Sequence, residues 1–226
     1  MKKKFILLFS LFLLCLSINA QRLARFAMSR FAAGGEPGIA YPLQKNFYGK
    51  LPTDTIPSYI RSDTVFYFVY VWLPEPVKEF GTQLISPVPE FASAAKDDCE
   101  AEDYHDSLKA AGKYFDPQLI VEYVLNINSP EEIFMKGNNA AWRLLGRNDN
   151  SASAPVQPSL KKNNSLFRIG VTEKDTAFVP AGLYCITIAS AGNKKPEGTF
   201  VLQVGVTEKI PGLKIFRRAD ELSEGY

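Results

Sequence analysis

The chain has 226 residues, of which 46% are hydrophobic, so it is long enough for one large β domain or two small ones. It carries 26 basic and 24 acidic residues, but Lys2, Lys3 and Lys4 lie in the segment that we expect to be removed. Without them 23 basic residues face 24 acidic ones, a formal charge of −1, so no basic field favours nucleic acid or an anionic membrane.

The first twenty residues have the pattern of a secretory signal. Three lysines precede an apolar run from Phe5 to Ile18, and Asn19-Ala20 follows. The run is shorter than the roughly 20 residues that a membrane-spanning helix needs. We therefore predict export, cleavage after Ala20 and no transmembrane span in the mature chain. Cys15, the one candidate for a lipid anchor, lies inside the apolar run without a small residue before it, so it is interpreted as part of the signal.

Residues 21–46 contain Gly and Pro pairs with little periodicity, which predicts an irregular lead-in. Val65–Trp72 is a run of aromatic and β-branched residues without polar alternation, which predicts a strand covered on both faces. Thr82–Ser86 is a second predicted strand.

The middle of the chain changes character. A short helix is predicted from about Asp103 to Ala111, ended by Gly112. Gln118–Ile127 alternates as a strand does, and Pro130 followed by two acids opens another short helix. Residues 138–163 are rich in Asn, Ser and Pro and are predicted to form a loop.

The last third is predicted to be β again, with strands at 166–171, 182–189 and 198–206. The turn at 191–196 indicates a hairpin between the last two, and Ile210-Pro211-Gly212 ends the sheet. Many short strands with few helices favour a mainly β fold, a β-sandwich. We assign residues 1–20 to the signal, 21–46 to the lead-in, 47–221 to one domain and 222–226 to a tail.

Few residues offer chemistry. His105 is the sole histidine, so a hydrolase using His105 is one alternative, and a solvated histidine on a polar turn is the other. One His and two mature cysteines do not make a zinc site. Cys99 and Cys185 either form a disulfide in an oxidising compartment or remain separate thiols.

Six acids lie between Asp97 and Asp106, and Asn148-Asp149-Asn150 is a smaller oxygen-rich segment. Both have calcium-type ligands, although the EF-hand pattern is absent and a charge run is usually a solvated face. The aromatics of the 65–72 run face both ways along a strand, so core packing is expected for most. Aromatics at exposed strand edges are the candidates for binding.

An ordered series of short motifs resembles the major surface lipoprotein family of leptospiral spirochaetes, over about residues 47–221. The motifs are Tyr48-Gly49, Tyr70-Val71-Trp72-Leu73-Pro74, Glu79-Phe80-Gly81, Ile85-Ser86-Pro87, Leu108-Lys109-Ala110-Ala111, Phe115-Asp116, Asn164-Ser165-Leu166, Arg168-Ile169, Gly182-Leu183-Tyr184, Gly198-Thr199-Phe200, Val204-Gly205 and Ile210-Pro211-Gly212.

The resemblance implies a jelly-roll-like β-sandwich with a few short peripheral helices. It also implies a non-enzymatic surface protein that binds host extracellular-matrix proteins and calcium. The family's ligating Asp-Thr pair corresponds to Asp116-Pro117, its acidic loop to Asn148-Asp149-Asn150, and its ligating Tyr to Asn163. Asp116 and Asp149 are the carboxylates left for a metal site, so the family's calcium site is degraded here.

The sequence thus favours an exported, non-enzymatic protein of the periplasm, outer envelope or secreted fraction. We expect it to bind an extracellular or surface protein partner or to have a structural role, with a calcium-stabilised binding module as the alternative. The sequence does not set the oligomeric state.

Overall fold

A computed structural model describes most of the chain from Leu43 to Leu222. The ranges are 43–54, 56, 58–61, 64–90, 92–106, 108, 113–136, 139–149, 164–170, 178–193 and 195–222. The predicted signal, Cys15 and most of the predicted lead-in lie outside these residues, as do Asn150 and Asn163.

The described part is a two-sheet β-sandwich, which confirms the predicted mainly β fold. Its strands are β1 Leu43–Leu51, β2 Ser58–Arg61, β3 Thr64–Leu73, β4 Glu79–Ile85, β5 Cys99–Glu100, β6 Pro117–Leu125, β7 Ala141–Asp149, β8 Asn164–Gly170, β9 Gly182–Ser190, β10 Gly198–Val206 and β11 Lys214–Phe216. One short helix, α1 Glu132–Lys136, and 3₁₀ turns at Ala191–Asn193 and Asp220–Leu222 accompany them.

The first sheet has five strands in the order β5-β1-β10-β4-β8, and the second has six. In the six-stranded sheet the order is β11-β3-β9-β6-β7, with β2 also paired to β3. All pairings are antiparallel except that of β5 with β1. The outermost strands of the six-stranded sheet are therefore β7 on one side and β2 and β11 on the other.

The main core lies between the sheets. Phe200 on β10 contacts Phe47 of β1 and Phe115, which precedes β6, with ring centroids 5.9 and 6.3 Å apart. Phe80 and Tyr184 join the two sheets at 5.0 Å. Because inward side chains alternate along each strand, β3 contributes Tyr67, Val69, Val71 and Leu73 to this core.

A second apolar cluster covers part of the opposite face of the six-stranded sheet. Ile133 of α1 packs there with Val124, Leu183, Cys185 and Phe216. Phe68, Tyr70 and Trp72 of β3 pack against this cluster and are half-buried. The strand predicted to be covered on both faces is thus covered fully on one face and partly on the other.

The predicted hairpin between β9 and β10 is wrong. Strand β9 pairs with β3 and β6, whereas β10 pairs with β1 and β4 in the other sheet. All nine positions of each strand are buried, as expected of central strands. The turn at 191–196 therefore crosses between sheets, and turn chemistry alone does not distinguish a crossing from a hairpin.

Strand β7 shows that the predicted loop over residues 138–163 is wrong at residues 141–149, while residues 150–163 lie outside the described part of the chain. Its first four residues are exposed, so it lacks the alternation of buried apolar residues that marks a strand. Strands β2 and β11 are short edge strands that carry little sequence signal and were not predicted.

The element boundaries also differ from the predicted ones. The predicted helix from Asp103 is wrong at its start, because residues 102–105 form a turn and an irregular segment. Strand β1 takes residues 43–46 from the predicted lead-in, and Leu222, assigned to the tail, is buried in the second cluster.

Within the described residues, no helix combines the length and the apolar character needed to cross a bilayer.

Candidate functional site

The outer face of the six-stranded sheet carries most of the exposed large apolar side chains of the described chain. We call this surface the aromatic face and define it by Tyr59, Phe66, Phe68, Phe134, Met135, Trp142 and Leu144. The remaining exposed large apolar residues of the described chain, Ile60, Tyr114 and Phe178, are not part of this surface as defined. Exposed apolar surface of this kind marks interaction sites more often than isolated apolar residues do.

One end of the aromatic face is a stack of three rings. Tyr59 on β2 lies parallel to Phe66 and Phe68 of β3, with centroids 4.9 and 5.1 Å away and interplanar angles of 15° and 13°. The antiparallel register places Tyr59 opposite Phe66. Tyr59 remains 41% exposed, so the stack presents a preformed flat ring surface to solvent.

Helix α1 forms the middle of the face. Phe134 meets Tyr70 edge-on at 6.1 Å and Phe216 at 6.0 Å, which holds its ring on the sheet. The next residue, Met135, is 78% exposed. A flexible thioether beside a fixed ring adapts to different partner shapes.

Strand β7 forms the other end. Trp142 lies opposite Val124, and Leu144 lies opposite Glu122, both on the outer side. Leu144 is 59% exposed. Arg143 points the other way, with its guanidinium 5.3 Å from the centre of the Tyr123 ring. This edge strand therefore exposes apolar side chains on the outer face. Charged side chains, which many edge strands carry, would oppose association with another protein.

Three titratable groups lie beneath the aromatic face. Glu122 and Cys185 are directly opposite each other in the β6–β9 register, and Tyr70 is opposite Cys185 on β3. Burial raises the pKa of the Glu122 carboxyl and of the Cys185 thiol, and the Glu122 charge adds to the rise at Cys185. Burial likewise raises the pKa of Tyr70. Burial is the main cause at all three groups, and it disfavours the charged form of each.

Because the pKa of Glu122 is higher in the folded than in the unfolded chain, the stability it contributes is present below the unfolded pKa and lost as pH rises through the folded pKa. We therefore expect Glu122→Gln to raise the melting temperature near neutral pH. The gain should shrink as pH falls below about 4, where both states hold the proton. Thermal unfolding of both proteins across this range checks the prediction, and a gain independent of pH would contradict it.

The predicted metal residues come to one end of the six-stranded sheet. Asp116 is half-buried just before β6, and its carbonyl accepts the Ala191 N–H at 2.8 Å. Asp149 is the last residue of β7 and lies opposite Gln118, which follows Asp116 by two positions. The side chain of Asp149 is outside the described part of the structure. Among the side chains described, no three His, Cys, Asp or Glu residues are grouped as metal ligands.

The acidic run from Asp97 to Asp106 makes structural contacts. Asp98 accepts hydrogen bonds from the backbone N–H groups of Asn46 and Ala95 at 3.0 and 2.8 Å. Glu102 pairs with Arg218 at 2.6 Å. These contacts attach the loop to β1 and to the C-terminal segment. The acidic run therefore has a structural role as well as exposed charges.

His105 and the cysteines stand apart from any shared site. His105 is exposed, and its carbonyl accepts the Leu108 N–H at 2.9 Å within a turn. Cys99 lies half-buried on β5, whereas Cys185 is buried on β9 in the other sheet, and both are free thiols. Of the two predicted outcomes, a disulfide or separate thiols, the structure therefore shows separate thiols. Burial raises the pKa of the Cys99 thiol as well, so it is not an activated nucleophile.

The sequence identified part of the aromatic face. Phe66 and Phe68 belonged to the predicted aromatic run, and Tyr67 packs in the core as expected. Tyr59, Phe134, Trp142 and Leu144 were missed, since β2 and β7 were not recognised as strands. Aromatics in polar surroundings, as in Pro-Ser-Tyr59 and Ala-Trp142-Arg, were the available signal.

Residues 36–215 match the family described as the surface lipoprotein of the Spirochaetales order, Lipl32. This match covers the larger part of the chain and confirms the resemblance read from the motifs. A comparison with individually curated proteins gives no match. The chain therefore belongs to this family of spirochaetal surface lipoproteins, which supports an exported protein located at the cell surface.

Proposed function

We propose that this protein is a non-enzymatic binding module of the cell envelope, and that a protein partner docks on the aromatic face. The observation that carries the proposal is that the ring stack formed by Tyr59 with two phenylalanines shares one sheet face with exposed Met135 and Leu144. Rigid aromatic anchors beside adaptable side chains are the residues that dominate binding energy at protein interfaces.

The partner class is an extracellular or surface protein, with extracellular-matrix proteins as the first candidates. Matrix binding is what the family resemblance implies, and a broad apolar surface fits a macromolecule better than a small ligand. The predicted signal over residues 1–20 would deliver the chain to the compartment where such partners occur. His105, the histidine that a hydrolase mechanism would need, lies exposed on a turn, which favours the non-enzymatic proposal.

Binding of the mature chain to a panel of immobilised extracellular-matrix proteins tests the proposal. A variant with Phe134→Ser, Met135→Ser and Leu144→Ser should bind at least about tenfold more weakly, because several apolar anchors are lost at once. Surface plasmon resonance measures the affinities, and thermal unfolding verifies that the variant remains folded.

Phe178→Ser is the matched control, since Phe178 is 56% exposed but outside the aromatic face. It should bind as the unaltered protein does. Equal binding by the triple variant would contradict docking on this face, and the absence of binding by every protein would contradict matrix binding.

A calcium-stabilised module is the second candidate, favoured by the backbone register that brings Asp116 and Asp149 to the same end of β6 and β7. Two carboxylates and the amides of Asn148 and its neighbours make a low-charge site, which implies millimolar affinity at best. We expect millimolar calcium to raise the melting temperature slightly, and Asp116→Asn to remove the rise. Calorimetric titration without heat, together with an unchanged melting temperature, would contradict the site.

A further inference from the structure

A cleft of about 260 Å³ opens where the two sheets end, apart from the Asp116–Asp149 end and away from His105. Phe47 of β1 and Cys99 of β5 line it from the five-stranded sheet, and Ile215 and Phe216 line it from β11. Both β5 and β11 are outermost strands. The 3₁₀ turn at Asp220–Leu222 closes one side. The cleft therefore lies between two strand edges that have no further described strand beside them.

The guanidinium of Arg217 is the distinctive group in this cleft. Arg217 is 5% exposed, and its Cζ lies 5.0 Å from the centre of the Phe47 ring. Its Nη2 donates to the Glu221 carboxylate, which also accepts the Arg217 backbone N–H at 2.7 Å. Its Nε and Nη1 are buried and find no hydrogen-bond acceptor among the described residues. Buried donors of this kind are rare in folded proteins and call for an acceptor.

The acceptor that suits Arg217 is a neutral oxygen. Glu221 already balances the guanidinium charge, so a second carboxylate would place excess negative charge in a half-enclosed space. A main-chain carbonyl supplies the missing acceptor without adding charge. Main-chain carbonyls are also the groups that an extended segment offers when it lies along an open strand edge.

The rim of the cleft adds a charge preference. Glu100, Glu102 and Asp220 line it, against the single further cation Arg218. Arg218 pairs with Glu102 at 2.6 Å and with Asp220 at 3.3 Å. Glu100, exposed on the edge strand β5, leaves the rim with an excess of negative charge. A cationic side chain on the bound segment complements this rim.

We propose that this cleft binds an extended peptide segment bearing a lysine or arginine. Separate main-chain carbonyls of the segment accept from Arg217 Nε and from Arg217 Nη1, and its basic side chain lies against Glu100. This site is separate from the aromatic face, so the proposal stands or fails independently of the docking proposed there.

Nuclear magnetic resonance titration of the mature chain tests the site directly. The probe is acetyl-Val-Lys-Val-amide, and the reporters are the Arg217 side-chain Nε–H signal and the amides of Cys99, Glu100 and Ile215. We expect saturable shifts of these signals at millimolar probe. The matched peptide acetyl-Val-Glu-Val-amide should bind at least about fivefold more weakly.

Two variants separate the site from general effects. Glu100→Gln should weaken binding of the lysine peptide by about threefold to fivefold, while Glu75→Gln, at an exposed position outside the cleft, should not. The proposal is overturned if no signal saturates or if both peptides give equal shifts. It is also overturned if the Arg217 Nε–H signal does not shift with peptide, as expected when the Nε–H donates only to ordered water.

Discussion

Glu221→Ala is expected to lower the free energy of unfolding by about 3–5 kcal/mol, because it leaves the Arg217 guanidinium buried without its counter-charge. Glu221 is itself only 13% exposed on its side chain, and it fixes both the guanidinium and the backbone N–H of Arg217. The pair attaches the C-terminal segment to Phe47 on β1. Urea unfolding of the variant measures the loss.

Two further variants identify the cause of that loss. Glu221→Gln keeps a hydrogen-bond acceptor and removes the charge, so its effect should be intermediate. Arg217→Met combined with Glu221→Leu replaces the whole pair by apolar groups and should be far less harmful than Glu221→Ala alone. A loss of about 1 kcal/mol or less in Glu221→Ala, as for an exposed pair, would contradict a buried role.

Phe200→Ala should destabilise the fold by about 3–5 kcal/mol, because it empties the centre of the core between the sheets. Phe200 is fully buried and contacts Phe47 and Phe115. Its ring also lies over Gly49, its cross-strand partner on β1. A Cβ added at Gly49 would lie 2.5 Å from Phe200 Cζ, and the packed neighbours of the ring leave it little room to move.

The contact between Phe200 and Gly49 makes their substitutions non-additive. Gly49→Ala should be destabilising in the unaltered protein but neutral or stabilising beside Phe200→Ala, where its methyl group enters the vacated space. Denaturant unfolding of the two single variants and the double variant completes the cycle. Additive losses would contradict the steric account of this glycine.

The sequence predicted the central strands because their composition is decided by burial. Strand β3, with its aromatic and β-branched residues, and the fully buried β9 and β10 were placed within one or two residues of their observed bounds. The sheet to which β9 and β10 belong was not predictable in the same way. Pairing depends on residues distant in the chain, and the turn between them has the same chemistry in either arrangement.

Edge elements limited the prediction of the candidate site. Strands β2 and β7 expose most of their side chains, so periodicity of buried residues gives no signal for them. Tyr59 and Trp142, which depend on these strands for their position, were consequently missed. The Arg217–Glu221 pair was equally invisible, since two charged residues four apart look like an ordinary solvated turn.

Hydroxyl-radical footprinting of the protein on intact cells, compared with the purified chain, tests docking on the aromatic face most directly. Labelling of Tyr59, Met135 and Trp142 should fall on the cells, because a bound partner covers these side chains. Labelling of Tyr114 and Phe178, which are exposed outside the face, should stay the same. Equal labelling of all five residues in the two samples would contradict the proposed binding surface.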